Sequence, residues 1–162
     1  MTVREYNICV DNFADAVYRF IRSSLKDDDR AHDIVQDSFE KLWKQVTEIE
    51  YGAAKAWLFS TAYRVMIDII RKEKRLTLTD SYSDSDLSDN SGVYSDINEI
   101  LHKALEKLPE QHRTALLLRD YEGYSYKEIG DITGTSEAQV KINIYRGRLA
   151  MREYLVSMEN VV

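Results

Sequence analysis

Residues that interrupt helices or cross-link chains are scarce in this 162-residue sequence. It has one proline and six glycines, whereas Leu, Ile, Ala, Glu, Lys and Arg are plentiful, and this balance favours an all-helical fold. The single cysteine, Cys9, cannot form an internal disulfide, and three histidines without further cysteines do not provide the ligand set of a typical metal site. We therefore expect an all-α protein without a metal or other cofactor.

Long apolar runs and catalytic motifs are also missing. No run of about 18 apolar residues is present, and the N-terminal sequence MTVREYNICV has neither the apolar core nor the cleavage site of a signal peptide. The sequence contains no glycine-rich phosphate-binding loop, and its histidines belong to no catalytic pattern. These absences predict a cytoplasmic protein that is not an enzyme and has no small-molecule substrate.

The formal net charge of −6 is distributed unevenly along the chain. Residues 1–75 contain 13 cationic and 13 acidic side chains, and residues 97–162 contain 9 and 10. The segment 76–96 between them has no Lys or Arg but has five Asp and six Ser, and it lacks a helical apolar period. Such a segment is typical of a flexible acidic linker, which here joins two small helical domains. Its composition leaves open whether it is a solvated tether or has a binding role.

Residues 1–75 contain three helical patterns. We expect Asp11 or Asn12 to cap the first helix, and the second helix to follow the acidic turn at residues 27–29. The third pattern has aromatic residues near its start and cations at its end: Trp57, Phe59 and Tyr63, then Arg71, Lys72, Lys74 and Arg75. Cations at a helix C-terminus are favoured by the helix dipole alone. Cations near aromatic rings are also what single-stranded nucleic acid requires, since bases stack on rings and phosphates attract cations. Both interpretations stay open.

The second half of the chain contains the pattern of a helix-turn-helix. Ser125 and Glu128 have the spacing of a capping box, which predicts the start of a short helix. The turn Gly134-Thr135 follows, and Ser136 with Gln139 predicts the start of the next helix. Two helices joined by a short glycine-containing turn are typical of this DNA-binding motif.

The last predicted helix has an uncompensated positive face. Its apolar stripe is Val140, Ile144, Gly147 and Met151, and the adjoining stripe is Lys141, Tyr145, Arg148 and Arg152. Residues 141–152 include four cations and no carboxylate, so the pairs within a helix that usually neutralise such a face are absent. Because DNA phosphates would neutralise it, we interpret this helix as one that reads DNA, with Lys141, Tyr145 or Arg146 against base edges.

Three segments together resemble the extracytoplasmic-function sigma factors, the compact two-domain initiation subunits of bacterial RNA polymerase. AHDIVQDSFEKLWK (31–44) resembles the helix that binds the clamp coiled coil of the polymerase. WLFSTAYRVMIDIIRKEKR (57–75) is similar to the helix that opens the promoter at the −10 element. ALEKLPEQHRTALLLRDYEGYSYKEIGDITGTSEAQVKINIYRGR (104–148) resembles the domain that reads the −35 element. The resemblance covers almost the whole chain, in the order of the family.

The resemblance implies three sets of site residues. The set for core polymerase is Asp33, Gln36, Asp37 and Phe39. The set for −10 DNA is Tyr63, Arg64, Arg71, Lys72, Lys74 and Arg75. The set for −35 DNA is Ser136, Gln139, Lys141, Ile142, Tyr145, Arg146 and Arg148. Many family members have Asn where this chain has Arg64, and Ile142 stands at a position that is often polar, where it would favour a thymine methyl group.

The resemblance implies as partners core RNA polymerase, through its clamp coiled coil and flap, promoter DNA, and a membrane-associated anti-sigma factor. Two other functions fit parts of the sequence. One is a dimeric helix-turn-helix regulator that acts without polymerase, in which the clamp-like segment would have no purpose. The other is a sigma-like decoy that occupies an anti-sigma factor, for which the cationic stripes in both domains would be unnecessary.

Overall fold

The computed structural model describes residues 1–79 and 96–159. The helices are α1 (Val3–Leu25), α2 (Asp28–Lys44), α3 (Ala54–Thr79), α4 (Asp96–Lys107), α5 (Glu110–Leu116), α6 (Tyr126–Thr133) and α7 (Glu137–Glu159). A 3₁₀ turn at Tyr51–Ala53 precedes α3, and α5 continues directly into a π-helical turn at Leu117–Tyr121. These residues contain no β-strand, and the predicted all-α fold is confirmed.

The start of α1 differs from the prediction. Thr2 is the N-cap: its side chain accepts from the Glu5 amide at 3.1 Å, and the Glu5 carboxylate accepts from the Thr2 amide at 2.7 Å. This reciprocal capping box satisfies two amides that a helix start leaves without partners. The prediction that Asp11 or Asn12 caps this helix is therefore wrong, because both are exposed in the middle of α1.

The signals predicted for the helix-turn-helix are present. Ser125 and Glu128 form the capping box of α6. Gly134 ends α6 with φ of 73°, in the left-handed region that glycine adopts without a steric penalty. Ser136 accepts from the Gln139 amide at 3.1 Å at the start of α7, but the Gln139 side chain donates to Asn143 at 2.9 Å instead of returning to the cap.

The first three helices pack around a small core. The residues buried in it recur along each helix at the spacing of the apolar periods in the sequence. Val17, Phe20 and Ile21 of α1 are buried with Leu42 of α2 and Leu58 of α3. Burying each such side chain favours folding by roughly 1.5–3 kcal/mol. Helix α3 continues to Thr79, so the first residues of the predicted linker, 76–79, are helical. The rest of that linker, up to residue 95, lies outside the described residues.

The two halves of the chain pack directly against each other. Helix α3 lies against α6, and the Phe59 ring of α3 meets Tyr124, just before α6, edge to face at a centroid distance of 5.0 Å. Tyr124 is only 2% exposed. The Lys55 ammonium lies 4.3 Å from the centroid of the same ring. In this conformation the two predicted domains therefore share buried contacts and do not have separate cores.

Candidate polymerase and nucleic-acid interfaces

The outer face of α2 displays most of the residues implied for polymerase binding. Asp33 and Gln36 are exposed, and Asp37 is half-buried with an ion pair to Lys41 at 3.0 Å. Phe39 differs from these three: it is 7% exposed, and its ring lies 6.4 Å from that of Tyr6. Because it is buried, Phe39 is a core residue that supports α2, and an incoming helix cannot reach its side chain.

A groove of about 520 Å³ runs between α2 and α3 beside these acidic residues. Its apolar lining is Ile34, Val65, Ile69 and Leu76, and its charged lining is Arg30, Asp33, Asp37, Lys72 and Glu73. Arg30 and Glu73 form an ion pair that connects the two helices. An apolar floor with a charged border can receive the apolar face of a helix.

Tyr63 of α3 is held by the second half of the chain. Its hydroxyl donates to the Glu110 carboxylate at 2.9 Å, and Thr114 donates to the same oxygen at 3.2 Å. Burial, together with the negative charge of Glu110, raises the pKa of Tyr63 far above its usual range. The phenol is therefore a neutral hydrogen-bond donor at all physiological pH values.

Three of the six residues implied for −10 DNA line one cavity of about 240 Å³. Tyr63, Arg64 and Arg71 lie on its α3 wall, together with Ile67 and Asp68. The opposite wall comes from α5, α6, α7 and the turn of the helix-turn-helix: Glu110, Gln111, Thr114, Ala115, Thr133, Thr135, Val140 and Asn143. The other three implied residues, Lys72, Lys74 and Arg75, are exposed farther along α3. Of the six implied residues, only Tyr63 is partly buried, and Arg64 and Arg71 are exposed at the edge of the cavity.

The geometry of the helix-turn-helix depends on a close approach at Gly130. A Cβ atom at this position would lie 2.7 Å from the Thr135 carbonyl oxygen, so a larger residue would force the turn away from α6. The Thr133 and Thr135 hydroxyls are 2.9 Å apart and hydrogen-bonded across the same turn. These contacts fix the direction in which α7 leaves α6.

Helix α7 presents most of the residues implied for −35 DNA on its outer face. Val140 and Ile144 are buried against the domain core, as their spacing predicted. Ser136, Lys141 and Arg146 are exposed, Tyr145 is 67% exposed, Ile142 is 42% exposed, and Gln139 is half-buried. The exposed side chains share the N-terminal part of α7, which is the part of a recognition helix that contacts base edges.

The sequence could not reveal two partners of the cationic face. Arg148 makes a two-pronged ion pair with Asp120 of the π-helical turn, at 3.1 and 2.6 Å, and these hydrogen bonds raise the pKa of Arg148. The Lys141 ammonium lies 5.6 Å from the centroid of the Tyr126 ring. Within residues 1–79 and 96–159, neither Arg146 nor Arg152 has an ion pair. The lack of carboxylates along α7 therefore did not exclude one supplied by another helix.

A second groove, which the sequence analysis missed, lies between the π-helical turn and the C-terminal part of α7. It has a volume of about 520 Å³ and is lined by Leu116, Asp120, Tyr121, Arg148, Met151, Arg152, Leu155 and Val156. Tyr121 is 58% and Val156 48% exposed. The available signal was the i, i+4 spacing of Met151 and Leu155, which continues the apolar stripe of α7 beyond the helix-turn-helix.

Neither a membrane span nor a metal site is found in the described part of the chain. None of its helices is long and apolar enough to cross a bilayer. No group of three or more His, Cys, Asp or Glu side chains there converges in a way that could hold a metal ion.

Comparison with known proteins identifies both halves. The family model described as Sigma-70 region 2 matches residues 9–76, and the model described as Sigma-70, region 4 matches residues 98–151. The chain is 33% identical over 146 residues to RNA polymerase sigma factor SigV of Bacillus subtilis (strain 168), covering 89% of this chain and 87% of SigV. It is 31% identical over 140 residues to ECF RNA polymerase sigma factor SigM of the same organism, covering 84% and 86%. Among solved structures, the sigma factor RpoE of Bartonella quintana, in complex with the anti-sigma factor NepR, superposes with a TM-score of 0.77 and 26% identity, covering 94% of this chain and 98% of RpoE.

Proposed function

The chain belongs to the extracytoplasmic-function branch of the sigma-70 transcription initiation factors, which are not enzymes, and we propose which of its surfaces bind core RNA polymerase and which read promoter DNA. The single observation on which the assignment mainly depends is the exposed cationic face of α7, held outward by a helix-turn-helix.

The outer face of α7 docks in the major groove of the −35 element. Each cation that neutralises a phosphate releases a counterion and adds affinity, whereas base-edge contacts supply specificity. Arg146 is suited to guanine because a guanidinium can donate two hydrogen bonds to one base, and Ile142 is suited to a thymine methyl group. Ser136, Gln139, Lys141 and Tyr145 complete the contact surface. Arg148 reaches a phosphate only by exchanging or sharing its bond with Asp120.

The −10 element is bound by the outer part of α3. The Tyr63 ring provides a stacking surface for an unpaired base, and Arg64 and Arg71 provide positive charge beside it. Lys72, Lys74 and Arg75 continue the positive charge towards the C-terminus of α3. Stacking of one base on an aromatic side chain contributes roughly 1–3 kcal/mol, which offsets part of the free energy needed to unpair the promoter.

Core polymerase is bound at two grooves on opposite halves of the chain. The groove between α2 and α3, with Asp33, Gln36 and Asp37 beside it, accepts the clamp coiled coil, and Phe39 supports this surface from the core. The groove beside Tyr121 and Val156 accepts an apolar helix of the flap. Both assignments use the same physical feature, an apolar floor with a charged border that can bury one face of a helix.

An anti-sigma factor is a further partner in this proposal. The sigma factor RpoE is in complex with the anti-sigma factor NepR in the solved structure, and the family resemblance suggests a membrane-associated partner for this chain. Such a protein would suppress transcription directed by this chain, and an excess of the chain would relieve that suppression.

Run-off transcription sequencing with core polymerase, in the presence and absence of the protein, tests the proposed function. We expect new transcripts from a defined promoter set, and we expect Lys141→Ala and Arg146→Ala to reduce them without weakening core binding. Arg4→Ala, which removes an exposed cation on α1, is the matched control and should transcribe as the wild type does.

Two results would favour the other functions. Specific duplex binding by the free protein that core polymerase leaves unchanged would indicate a dimeric helix-turn-helix regulator. No transcript from any promoter, despite a folded protein, would indicate a decoy for an anti-sigma factor.

A further inference from the structure

One aromatic ring outside α7 lies beside the −35 surface of the proposed function. Tyr126 is the first residue of α6, directly after the N-cap Ser125. The Lys141 ammonium of α7 lies 5.6 Å from the centroid of the Tyr126 ring, and the Arg119 guanidinium lies 4.7 Å from the same centroid. Two cations from two different elements therefore share this ring.

Local contacts fix the position of the Tyr126 ring. The capping box of Ser125 with Glu128 holds the backbone of the first turn of α6. Arg119, in the π-helical turn, donates to the Tyr124 carbonyl oxygen at 2.9 Å, so its guanidinium is itself anchored beside the ring. The Tyr126 side chain is half-buried. Because the ring is constrained in this way, it can act as a fixed support for a neighbouring side chain.

Lys141 has little else to restrain it. The residue is exposed, and within residues 1–79 and 96–159 it forms no ion pair with a carboxylate. A lysine has a flexible four-carbon stem, and it loses much rotamer freedom when a ligand fixes it. The negative face of an aromatic ring attracts an ammonium within about 6 Å of its centroid. The Tyr126 contact therefore restricts Lys141 before DNA binds, while Lys141 stays exposed.

We propose that Tyr126 is a positioning residue for −35 recognition, and that its ring holds the Lys141 ammonium in the orientation in which it meets DNA. This inference rests on the proposed function, in which Lys141 contacts the −35 element. A lysine that is already oriented loses less conformational entropy on binding, and it donates to a base edge from one direction. Tyr126 thus adds to promoter affinity through Lys141 without itself contacting DNA.

A double-mutant cycle with Lys141→Ala tests this role. Fluorescence anisotropy measures the affinity of the holoenzyme for a promoter duplex from the run-off experiment. Tyr126→Leu keeps an apolar side chain but removes the ring, and it should weaken binding by about two- to fivefold, the effect of one exposed cation–π contact. In the Lys141→Ala background the same substitution should have no further effect. An equal loss in both backgrounds would overturn the proposal, because Tyr126 would then support the fold or contact DNA itself.

Tyr154 provides a matched control. It is a half-buried tyrosine in the same half of the chain, and its ring centroid lies 4.3 Å from the Lys107 ammonium, but it is not one of the residues assigned to −35 DNA. Tyr154→Leu should leave promoter affinity unchanged. Tyr126→Phe keeps the ring and should bind as the wild type does. If Tyr126→Phe bound as weakly as Tyr126→Leu, the hydroxyl would be responsible and the positioning role would be wrong.

Nuclear magnetic resonance of the free protein distinguishes failure of this inference from failure of the proposed function. The ring current of Tyr126 should shift the side-chain methylene protons of Lys141 upfield, and the shift should persist in Tyr126→Phe and disappear in Tyr126→Leu. Absence of the shift in the wild type would overturn the inference, whatever the protein binds. A clear shift, with promoter affinity unchanged in Lys141→Ala, would show that the proposed −35 contact of Lys141 is wrong, and the positioning role would be overturned for that reason.

Discussion

Arg146 and Arg148 lie two residues apart on α7, yet their surroundings are different. Arg148 donates two hydrogen bonds to the carboxylate of Asp120. Arg146 is exposed and has no ion pair in the described part of the chain. A cation that already has a carboxylate partner gains less from a phosphate, because the existing pair must first be broken or shared. The two arginines should therefore contribute differently to DNA binding.

Salt dependence separates the two contributions. For the holoenzyme on a promoter duplex, Arg146→Ala should reduce the slope of log K against log salt by about 1, and Arg148→Ala should reduce it by clearly less. Asp120→Asn should raise promoter affinity, since it frees Arg148. Equal slope changes for the two arginines would show that Asp120 does not restrain Arg148 in the complex.

Gly130 is the residue at which the turn of the helix-turn-helix is most sensitive to added volume. A Cβ atom there would lie 2.7 Å from the Thr135 carbonyl oxygen, so Gly130→Ala should lower the free energy of unfolding by roughly 1–3 kcal/mol, as overpacking does. Gly52→Ala is the matched control, since nothing lies within 4 Å of a Cβ atom at that position. Urea denaturation measures both variants, and a neutral Gly130→Ala would mean that the turn can shift freely.

At the scale of elements, the sequence predicted those features whose contacting residues lie within a few positions of each other in the chain. The capping box of α6, the Gly134 turn and the buried stripe of α7 each depend on contacts between neighbouring turns, and sequence spacing determines those. The start of α1 was predicted wrongly because the prediction follows the apolar period from Phe13 onwards, whereas the Thr2–Glu5 capping box lies before that period. The π-helical turn that positions Asp120 has no comparable sequence signal, since it arises from packing.

The two possible starts of α1 can be compared by mutation. Thr2→Ala removes the observed cap and should lower the free energy of unfolding by about 1 kcal/mol. Asp11→Ala, at the position predicted to be a cap, should be neutral or slightly stabilising, because alanine is the better residue inside a helix. Thermal unfolding followed by circular dichroism measures both, and the opposite order would contradict the observed start of α1.

At the scale of the whole molecule, sequence patterns could not predict the contacts between the two halves. Glu110 and Tyr63 are 47 residues apart, and neither residue has a neighbour in sequence that indicates the other. The same limit applies to the site: spacing predicted the exposed face of α7, but it could not show that the Tyr63 hydroxyl is bound by Glu110 of the second half.

The shared core has a consequence for stability at alkaline pH. Burial raises the pKa of Tyr124 far above the usual value near 10, so the folded state keeps the phenol protonated after the unfolded state has begun to lose its proton. This contribution to stability is complete below about pH 10 and is lost progressively as pH rises beyond it. Because the Tyr124 hydroxyl has no partner among the described residues, Tyr124→Phe should fold well.

Denaturant unfolding at pH 9 and pH 11 checks this prediction. The wild type should lose more stability between the two pH values than Tyr124→Phe does, since lysines and other tyrosines titrate equally in both proteins. The same loss in the two proteins would indicate that Tyr124 is not held in an apolar environment.

Site-specific photocrosslinking from α7 is the most direct measurement of the central claim, which is that the outer face of this helix lies against −35 DNA in the initiation complex. A benzophenone side chain at the exposed position Tyr145 should crosslink to promoter DNA within the −35 element when core polymerase is present. Crosslinks confined to protein, from a complex that is actively transcribing, would contradict the account.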